Sequence, residues 1–275
     1  MENIEKLAFW INERHRIYLK KHAGLPKPWT TDPVLQEYRF CNVYRNLDKE
    51  SIWIQENWMR PNRDHPLLTL NMCLARLINW SPTLNYIGYQ NDWNPERLRK
   101  LLKEWRTAGN KVFTGAYIVS TNGKKMDKID YVVDMVLQPI AENLINPTTD
   151  DTLQQYWEFL LNFDGLGSFM AAQVIADIKY VPPLLYAQDW DKWAAMGPGS
   201  KRGLNRILGR DINTPIRQLD GLADMQKLHS DIQPLLEEHI TPITMQDFQN
   251  CLCEVDKYIR VQNKEGTPRS KYAGI

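Results

Sequence analysis

The chain lacks the features that mark membrane-spanning, disulfide-stabilised and zinc-stapled proteins. Its 275 residues include no apolar run long enough to cross a bilayer, and the first ten, MENIEKLAFW, lack a signal-peptide core. No two of the four cysteines, Cys41, Cys73, Cys251 and Cys253, have CxxC spacing, and no histidine pair has ligand spacing. We therefore expect a reducing, intracellular setting, with no disulfide framework, no catalytic cofactor and no metal site.

The chain has no excess of positive or negative charge, and it also lacks the phosphate-binding loop of common kinases. The 34 basic and 33 acidic residues give a formal net charge of +1, so any nucleic-acid surface must be a local patch. The motif GxxxxGK[ST] occurs nowhere, and the Gly123-Lys124-Lys125 turn has no upstream glycine at the required distance. A P-loop kinase is excluded for this chain. Internal repeats, low-complexity segments and Gly/Ser linkers are absent too.

What is present is an ordinary globular composition with a helical pattern almost throughout. Apolar residues make up 43% and charged residues 24%, and ten tryptophans and twelve tyrosines provide both core and stacking surface. The pattern predicts an all-α protein with two lobes around a cleft. We expect an N-terminal helix within 1–30, a helical domain over 31–262 and a flexible tail over 263–275. Apolar periodicity predicts helices at 2–22, 66–80, 95–108, 126–145, 150–162, 168–179, 200–208, 216–238 and 244–261. A further helix is expected to begin after Asp32 with Pro33 and to carry Leu35, Tyr38, Arg39, Asn42 and Arg45. Residues 111–120 are expected to form a short extended stretch.

The most informative segment is 156–180, YWEFLLNFDGLGSFMAAQVIADIKY. One helix is expected to end near Asn162, and a second to begin at Ser168 after a turn that contains Gly165, Leu166 and Gly167. A helix N-terminus presents unpaired amides and partial positive charge, which suits a phosphate. The pattern is typical of a helix-hairpin-helix, a motif that holds DNA backbone without reading sequence. A plain αα-hairpin whose glycines serve packing is the alternative.

An aspartate follows this hairpin at an informative distance. Helix-hairpin-helix DNA glycosylases carry an essential aspartate about two dozen residues past the hairpin, and Asp189 lies 24 residues beyond Gly165. Bifunctional members place a nucleophilic lysine two residues after the second glycine, where this chain has Phe169. Lyase chemistry through that lysine is therefore excluded. Asp189 is a candidate catalytic base, or else a cap of a short helix that contains Trp190 and Trp193.

A glycine-rich turn and a basic helix follow at 197–210, GPGSKRGLNRILGR. The amides of Gly199 and Ser200, together with Lys201 and Arg202, would suit a phosphate or pyrophosphate, and Arg206 extends the basic face. A solvated basic helix is an equally good interpretation.

Two further segments place polar residues on one side of a predicted helix. In RFCNVYRNLD at 39–48, Asn42 and Arg45 are three residues apart, and in QNCLCEVDKYIR at 249–260, Glu254 and Lys257 have the same spacing. Each pair fits a polar network that faces a cleft. A surface salt-bridge face for the first, and a simple intrahelical pair for the second, remain open.

Five ordered segments resemble one family: RFCNVYRNLD, FTGAY at 113–117, FDGLGSFMAAQVIAD, GPGSKRGLNR and CEVDKY at 253–258. Together they resemble the helical domain of bacteriophage thymine-hypermodification proteins. That group includes the alpha-glutamyl/putrescinyl thymine pyrophosphorylases, also called amino acid:DNA transferases. The same helical domain accompanies 5-hydroxymethyluracil DNA kinases. The resemblance runs from about Leu35 to Tyr258.

The resemblance implies a fold similar to helix-hairpin-helix DNA glycosylases and chemistry on a flipped base. Because the P-loop is missing, it implies the transferase role, in which an amine or amino acid displaces pyrophosphate from 5-(pyrophosphoryloxymethyl)uracil. The partners implied are double-stranded DNA with modified uracil and an amine co-substrate, in the cytoplasm of a phage-infected bacterium, with no membrane. A structural monovalent cation at the hairpin is the only bound group expected.

Site roles follow from this chemistry. Expulsion of pyrophosphate needs positive charge, for which Arg202 is the candidate, and the incoming amine needs a carboxylate base, either Asp189 or Glu254. Gln173 and Asp177 are expected either to hold the base edge or to order the pocket around it. Trp190, Trp193 and Tyr44 are candidate aromatic walls, and a place in the core is an equally good interpretation of each. The alternatives are a monofunctional glycosylase and a non-catalytic DNA-binding module.

Overall fold

A computed structural model of the chain describes residues 3–115, 117, 119–268 and 271–272. The all-α prediction is confirmed: the described residues contain no strand, and one isolated antiparallel bridge joins Tyr38 to Lys271. The α-helices are α1 Asn3–His22, α2 Pro33–Glu37, α3 Lys49–Ile54, α4 Leu68–Ile78, α5 Ser81–Ile87, α6 Pro95–Thr107, α7 Lys128–Asp130, α8 Gln138–Asn143, α9 Leu153–Leu160, α10 Ser168–Ile178, α11 Pro198–Ile207, α12 Gln218–Ile232 and α13 Met245–Gln262.

Short helical segments of other types extend several of these helices. Wider π-helical turns cover Gln55–Met59 and Tyr131–Leu137, and 3-10 turns cover Arg45–Leu47, Leu184–Tyr186 and Gln233–Leu235. The helix expected at 126–145 is therefore a run of three consecutive helical segments. No described helix combines the length and the apolar character that crossing a bilayer requires.

The chain divides into two compact units. The first unit comprises Met1–Asp48 and Asp191–Ile275, and the second comprises Lys49–Trp190. These boundaries differ from the ones expected at 30 and 262, because α1 is part of the first unit's core. Leu7, Trp10 and Ile11 of α1 are fully buried there.

Helices α11 and α13 of the first unit approach each other unusually closely. A Cβ atom on Gly203 would lie 1.9 Å from the carbonyl oxygen of Leu252, and one on Gly199 would lie 2.4 Å from Sγ of Cys253. Gly203 is the fourth residue after Gly199, so the two glycines lie on the same face of α11. The glycines of GPGSKRG thus let the two helices pack backbone to backbone.

The second unit is built around α4, all of whose residues are buried. This agrees with the sequence, which is apolar on nearly every side between 66 and 80. Helix α4 packs against α10, and a buried ion pair joins the two helices: Arg76 Nε lies 2.6 Å from Oδ2 of Asp177. Arg76 also donates to Ser51 and Asn79, so this buried charge is well supplied with partners.

The helix expected from Pro33 to Arg45 is wrong beyond Glu37. Asp32 caps its start as expected, through a hydrogen bond from the Leu35 amide, but Tyr38 leaves the helix with extended backbone. Residue 38 instead bridges to Lys271, and the Tyr272 amide donates to the Glu37 carbonyl. Tertiary pairing replaces the helix here, so Asn42 and Arg45 do not share a helical face.

Two expectations fall partly outside the described residues. The stretch at 111–120 and the segment FTGAY include residues 116 and 118, which lie outside them. The described residues of the stretch form no strand, and the Thr114 amide donates to the Ile78 carbonyl. Of the tail expected at 263–275, residues 269–270 and 273–275 lie outside the described part, while Lys271 and Tyr272 make the contacts given above.

Candidate functional sites in the two units

The hairpin at 156–180 has the geometry that its sequence predicts. Helix α9 ends at Leu160, α10 begins at Ser168, and the fully buried Leu166 anchors the turn between them. Gly165 has a φ of +86°, and a Cβ there would lie 2.5 Å from Cγ2 of Val136, so both its backbone and its packing require glycine. Gly167 differs, because it is exposed and a Cβ would meet no atom within 4 Å.

The start of α10 is therefore open to an approaching group. The amides of a helix's first turn have no intrahelical partner, and Gly167 and Ser168 at this end are exposed. A monovalent cation at the turn stays a prediction. The Phe163 carbonyl accepts the Leu166 amide, and the carbonyls of Leu166 and Gly167 share the Ala171 amide.

Gln173 and Asp177, the residues expected to hold the base edge, are both buried on α10. Gln173 accepts a hydrogen bond of 2.9 Å from the Tyr117 hydroxyl, and the Tyr117 ring meets Phe169 edge to face. Asp177 is occupied by the ion pair with Arg76 and is 1% exposed. In this arrangement Asp177 orders the hairpin's second helix, and Gln173 positions Tyr117.

Asp189 contacts the beginning of the hairpin's first helix. Its Oδ1 accepts the Leu153 amide at 2.8 Å, and its Oδ2 accepts the Gln154 amide at 3.1 Å. These are the first two amides of α9, and the Thr152–Gln155 capping box satisfies the next one. Asp189 was expected to cap a helix that contains Trp190 and Trp193, but no described helix spans those tryptophans. It caps α9 instead.

Replacement of Asp189 by alanine should lower the free energy of unfolding by about 1–2 kcal/mol, the usual cost of a lost N-terminal cap. Asparagine should cost less, because its single carbonyl oxygen still accepts one of the two amides. Urea denaturation of both variants measures the difference. A role of Asp189 as catalytic base stays a separate prediction. Normal activity of a folded Asp189→Asn variant would show that Asp189 is only a cap, whereas loss of activity would support its role as a base.

The candidate aromatic walls are all engaged in internal contacts. Trp190, in the second unit, donates its indole N–H to the Lys179 carbonyl at 2.6 Å. In the first unit, the Tyr44 hydroxyl donates to the Thr241 carbonyl, and Trp193 is 3% exposed. The structure therefore gives each of them a packing role.

In the first unit, carboxylates from α13 and from the segment that follows it neutralise much of the basic face of α11. Arg202 and Arg206 both contact the fully buried Asp256, at 3.1 and 3.2 Å, and Arg206 also pairs with Glu265 at 2.7 Å. Lys201 donates to the Ile216 carbonyl at 2.7 Å. The sequence around α11 contains no acid, and the counter-ions come from elsewhere in the chain. Arg202 keeps the most accessible charge of the two arginines, since its side chain is 38% exposed against 11% for Arg206.

Ser200 is fully buried and donates its hydroxyl to the Gly197 carbonyl. Together with the close approach of Gly199 to Cys253, this gives the Gly-Pro-Gly turn a packing explanation. Its expected role in holding pyrophosphate stays a prediction.

The segment 39–48 lies along α13 and is fixed by polar contacts. Asn42 Oδ1 accepts from Arg14 at 2.6 Å, its Nδ2 donates to the Leu47 carbonyl, and its amide donates to Asp48 at 2.9 Å. The Arg45 amide donates to Asp247 of α13 at 2.9 Å. Burial raises the pKa of Asp48, although its bond with the Asn42 amide opposes this.

Glu254 is the buried carboxylate of this region, with a side chain that is 3% exposed. Its Oε2 accepts the Cys41 amide at 3.1 Å, and its Oε1 forms an ion pair with Lys257. Burial opposes the charge of Lys257, but the ion pair with Glu254 outweighs it and raises the pKa of Lys257 above its ordinary value. Lys257 therefore carries its positive charge at neutral pH, and its side chain is 39% exposed.

Arg202 and Lys257 form a matched pair of cations. Each is about two-fifths exposed, and each is held from behind by a buried carboxylate, Asp256 or Glu254. Both lie close enough to Cys253 to act on its thiol: burial and Glu254 raise the pKa of Cys253 to about 11, while Lys257 and Arg202 oppose the rise. We call Arg202, Cys253, Glu254, Asp256 and Lys257 the α11–α13 site.

The chemistry of this site is that of an anion-binding edge with a carboxylate beside it. The Cys253 thiol is neutral at physiological pH, because its pKa is about 11, so it is not a ready nucleophile. Among the residues that the structure describes, no group of three or more His, Cys, Asp or Glu side chains is arranged to hold a metal ion. Two cations suit an anionic leaving group, and a carboxylate beside them suits an amine that must give up a proton in order to attack.

The structure thus brings Arg202, Glu254 and Lys257 together in the first unit, and Gly165, Leu166, Gly167 and Ser168 in the second. Sequence reasoning missed Asp256 and Cys253. Asp256 lies inside CEVDKY, and the only available signal was its position two residues after Glu254, on a different face of the helix. Which of these residues act in catalysis stays a prediction.

The comparisons with known proteins agree on one family. The model of "5-hmdU DNA kinase, helical domain" matches residues 2–267. The 5-hmdU DNA kinase of Bacillus phage SP10 is 29% identical over 230 residues, which make up 72% of this chain and 35% of that protein. The chain therefore spans about a third of that relative's length. No solved structure is significantly similar. The resemblance to hypermodification proteins is confirmed, and the glycosylase-like fold stays a prediction.

Proposed function

Because the chain belongs to the family of the 5-hmdU DNA kinase helical domain, we propose that it acts on modified uracil in DNA. The reaction proposed is the transfer of an amine to 5-(pyrophosphoryloxymethyl)uracil, with loss of pyrophosphate. The SP10 relative is named a kinase, but this chain contains no GxxxxGK[ST] motif with which to bind ATP in the P-loop manner. A transfer reaction on a phosphorylated base uses the same DNA and needs no such loop.

The observation that carries this proposal is the pair of half-exposed cations in the α11–α13 site. A pyrophosphate leaving group carries several negative charges, and charge-assisted contacts to Arg and Lys stabilise it as it departs. Asp256 and Glu254 hold the two cations in place, which lowers the cost of orienting them for this task.

The proposed reaction is a substitution at the exocyclic methylene carbon of the base. The bond between the exocyclic methylene carbon of the base and the pyrophosphate oxygen breaks, and a bond from that carbon to the amine nitrogen forms. Pyrophosphate leaves as an anion next to Arg202 and Lys257. The proton lost by the amine passes to a carboxylate, for which Glu254 is the proposed base. Glu254 is favoured over Asp189 because it lies beside Lys257, one of the two cations proposed for the leaving group, whereas Asp189 caps the start of α9.

The hairpin supplies the proposed DNA contact, and Gly167→Glu tests it. The open space around Gly167 accommodates a side chain without a clash, so the variant should fold, but its carboxylate would repel a phosphate at the start of α10. We expect affinity for duplex DNA to fall about tenfold or more, the effect of losing a charge-assisted contact. Gly167→Ala, which adds a Cβ without charge, is the matched control. If Gly167→Glu and Gly167→Ala bind duplex DNA with equal affinity, the hairpin does not contact the DNA.

A hydrolytic glycosylase is the second candidate, and the spacing of Asp189 from the hairpin is the observation that favours it. A direct assay separates the two. Duplex DNA that carries 5-(pyrophosphoryloxymethyl)uracil is incubated with the protein and a pool of amino acids and polyamines, and released pyrophosphate and free base are both measured. The transferase proposal expects pyrophosphate that depends on the added amine, with no free base. Release of free base without added amine would identify a glycosylase. If neither pyrophosphate nor free base is released, a non-catalytic DNA-binding module is the remaining interpretation.

A further inference from the structure

A pocket lies in the first unit, and none of its lining residues belongs to the α11–α13 site. It has a volume of about 330 Å³ and is lined by Ile17, Lys27, Pro28, Trp29, Thr30, Leu35, Gln36 and Tyr272. Its size falls within the range of small-molecule sites. Ile17 and Leu35 are each 2% exposed and therefore belong to the core that supports it.

The aromatic side chains of this pocket are held in defined orientations. The Trp29 indole donates to the Leu25 carbonyl at 2.7 Å, and Lys20 fixes the Trp29 carbonyl at 2.8 Å. Tyr272 stands edge-on to Trp29, with ring centroids 6.4 Å apart and planes at 75°. The Tyr272 backbone amide is anchored on the Glu37 carbonyl. A planar ligand can therefore stack on one ring and meet the edge of the other.

Two exposed cations converge on the same rings. The Lys27 ammonium lies 5.6 Å from the Trp29 ring and 5.5 Å from the Tyr272 ring, and the Arg39 guanidinium lies 5.4 Å from the Tyr272 ring. No carboxylate in the described part of the chain forms an ion pair with Lys27 or Arg39. The two nearby acids are already engaged, Glu37 with Lys271 at 2.5 Å and Asp32 with the Tyr258 hydroxyl at 2.7 Å.

The side chain of Gln36 also offers a hydrogen-bond acceptor to a ligand in the pocket. Gln36 uses its Nε2 to donate to the Thr30 carbonyl at 2.7 Å, and within the described residues no donor reaches its Oε1. Thymine and uracil carry a ring N–H donor that such an oxygen can accept.

We propose that this pocket binds a nucleotide, with the base against Trp29 and Tyr272 and the phosphate at Lys27 and Arg39. The aromatic walls fit a base, and the two cations without ion-paired carboxylates fit its phosphate. The same cations argue against a polyamine, which they would repel. The ligand chemistry is shared by a free nucleotide and by a unit of a DNA strand. Binding here is independent of the transfer reaction proposed for the α11–α13 site.

Isothermal titration calorimetry on the whole chain tests the site with four probes: dTMP, thymidine, putrescine and pentathymidylate. We expect dTMP to bind at least about tenfold more tightly than thymidine, since a charge-assisted phosphate contact accounts for that factor. If pentathymidylate binds more tightly than dTMP, the ligand is a DNA strand. If the two bind equally well, it is a free nucleotide. Binding of putrescine in preference to dTMP would overturn the proposal, as would the failure of both dTMP and pentathymidylate to bind.

Variants then locate the binding. Lys27→Ala/Arg39→Ala removes two exposed cations and should weaken dTMP binding about tenfold or more. Lys124→Ala/Lys125→Ala removes two exposed cations from a turn of the second unit and should leave it unchanged. Tyr272→Leu should weaken dTMP and thymidine alike, because it removes the stacking surface. Equal losses in the two double variants would show a general charge effect and contradict the site.

Discussion

Replacement of Gly203 by alanine should destabilise the first unit by about 3 kcal/mol or more, the upper part of the range for overpacked cores. The added Cβ would stand 1.9 Å from the Leu252 carbonyl oxygen, a backbone atom that cannot turn aside. Alanine favours an isolated helix over glycine by about 1 kcal/mol, so intrinsic propensity alone predicts the opposite sign. The close contact outweighs it, because helices α11 and α13 must separate along their whole interface.

The same substitution at two other glycines should give smaller losses of stability. Gly199→Ala meets the Cys253 sulfur at 2.4 Å, a side-chain atom that can rotate, and should cost less than Gly203→Ala. Gly115→Ala meets nothing within 4 Å and should be close to neutral. Thermal unfolding followed by circular dichroism measures all three. If Gly203→Ala were as stable as Gly115→Ala, the backbone-to-backbone packing of α11 on α13 would be wrong.

Glu254→Gln should lower the single-turnover rate of amine transfer by about 10²–10⁴-fold, the usual contribution of a general base. The amide keeps the shape of the side chain and can still accept the Cys41 amide, but it cannot take a proton from the amine. Lys257 loses its ion-pair partner, yet its side chain is 39% exposed, so water can solvate the charge and the variant should fold. Rapid-quench measurement of the modified nucleoside gives the rate.

Two comparisons make the result specific. Lys257→Met keeps the carboxylate and removes one of the two leaving-group cations, so it should slow transfer through the departure of pyrophosphate. Asp189→Asn changes a carboxylate whose oxygens accept backbone amides, and transfer should continue in the folded variant. Normal transfer by Glu254→Gln together with lost transfer by Asp189→Asn would exchange the roles of the two acids.

Local sequence patterns predicted most of the helices because local signals determine them. Helix α6 begins at Pro95 behind the Asn94 cap and ends just before Gly109, whose φ is +84°. The hairpin was predicted for the same reason: Gly165 needs a left-handed backbone, and Leu166 must be buried between two amphipathic helices. Both facts are encoded within a few residues.

Features that depend on distant residues could not be predicted in this way. The segment after Glu37 is helical by local pattern, but it pairs with α13 and with Lys271, more than two hundred residues away. The basic face of α11 looked unpaired because its counter-ion Asp256 is 54 residues from Arg202. The spacing of Asp189 from the hairpin did not reveal that it caps α9. Residue types and spacing suggested candidates, and only the tertiary contacts show which of them are already occupied.

The most direct test of the account is the mass of the nucleoside that the protein makes. DNA carrying 5-(pyrophosphoryloxymethyl)uracil is incubated with the wild-type chain and a pool of ¹⁵N-labelled amines, digested to nucleosides and analysed by mass spectrometry. We expect the wild-type chain to form a nucleoside in which a labelled amine has replaced pyrophosphate, and Glu254→Gln to form much less of it. Unmodified nucleosides with free base in solution, or a labelled product formed equally by Glu254→Gln, would contradict it.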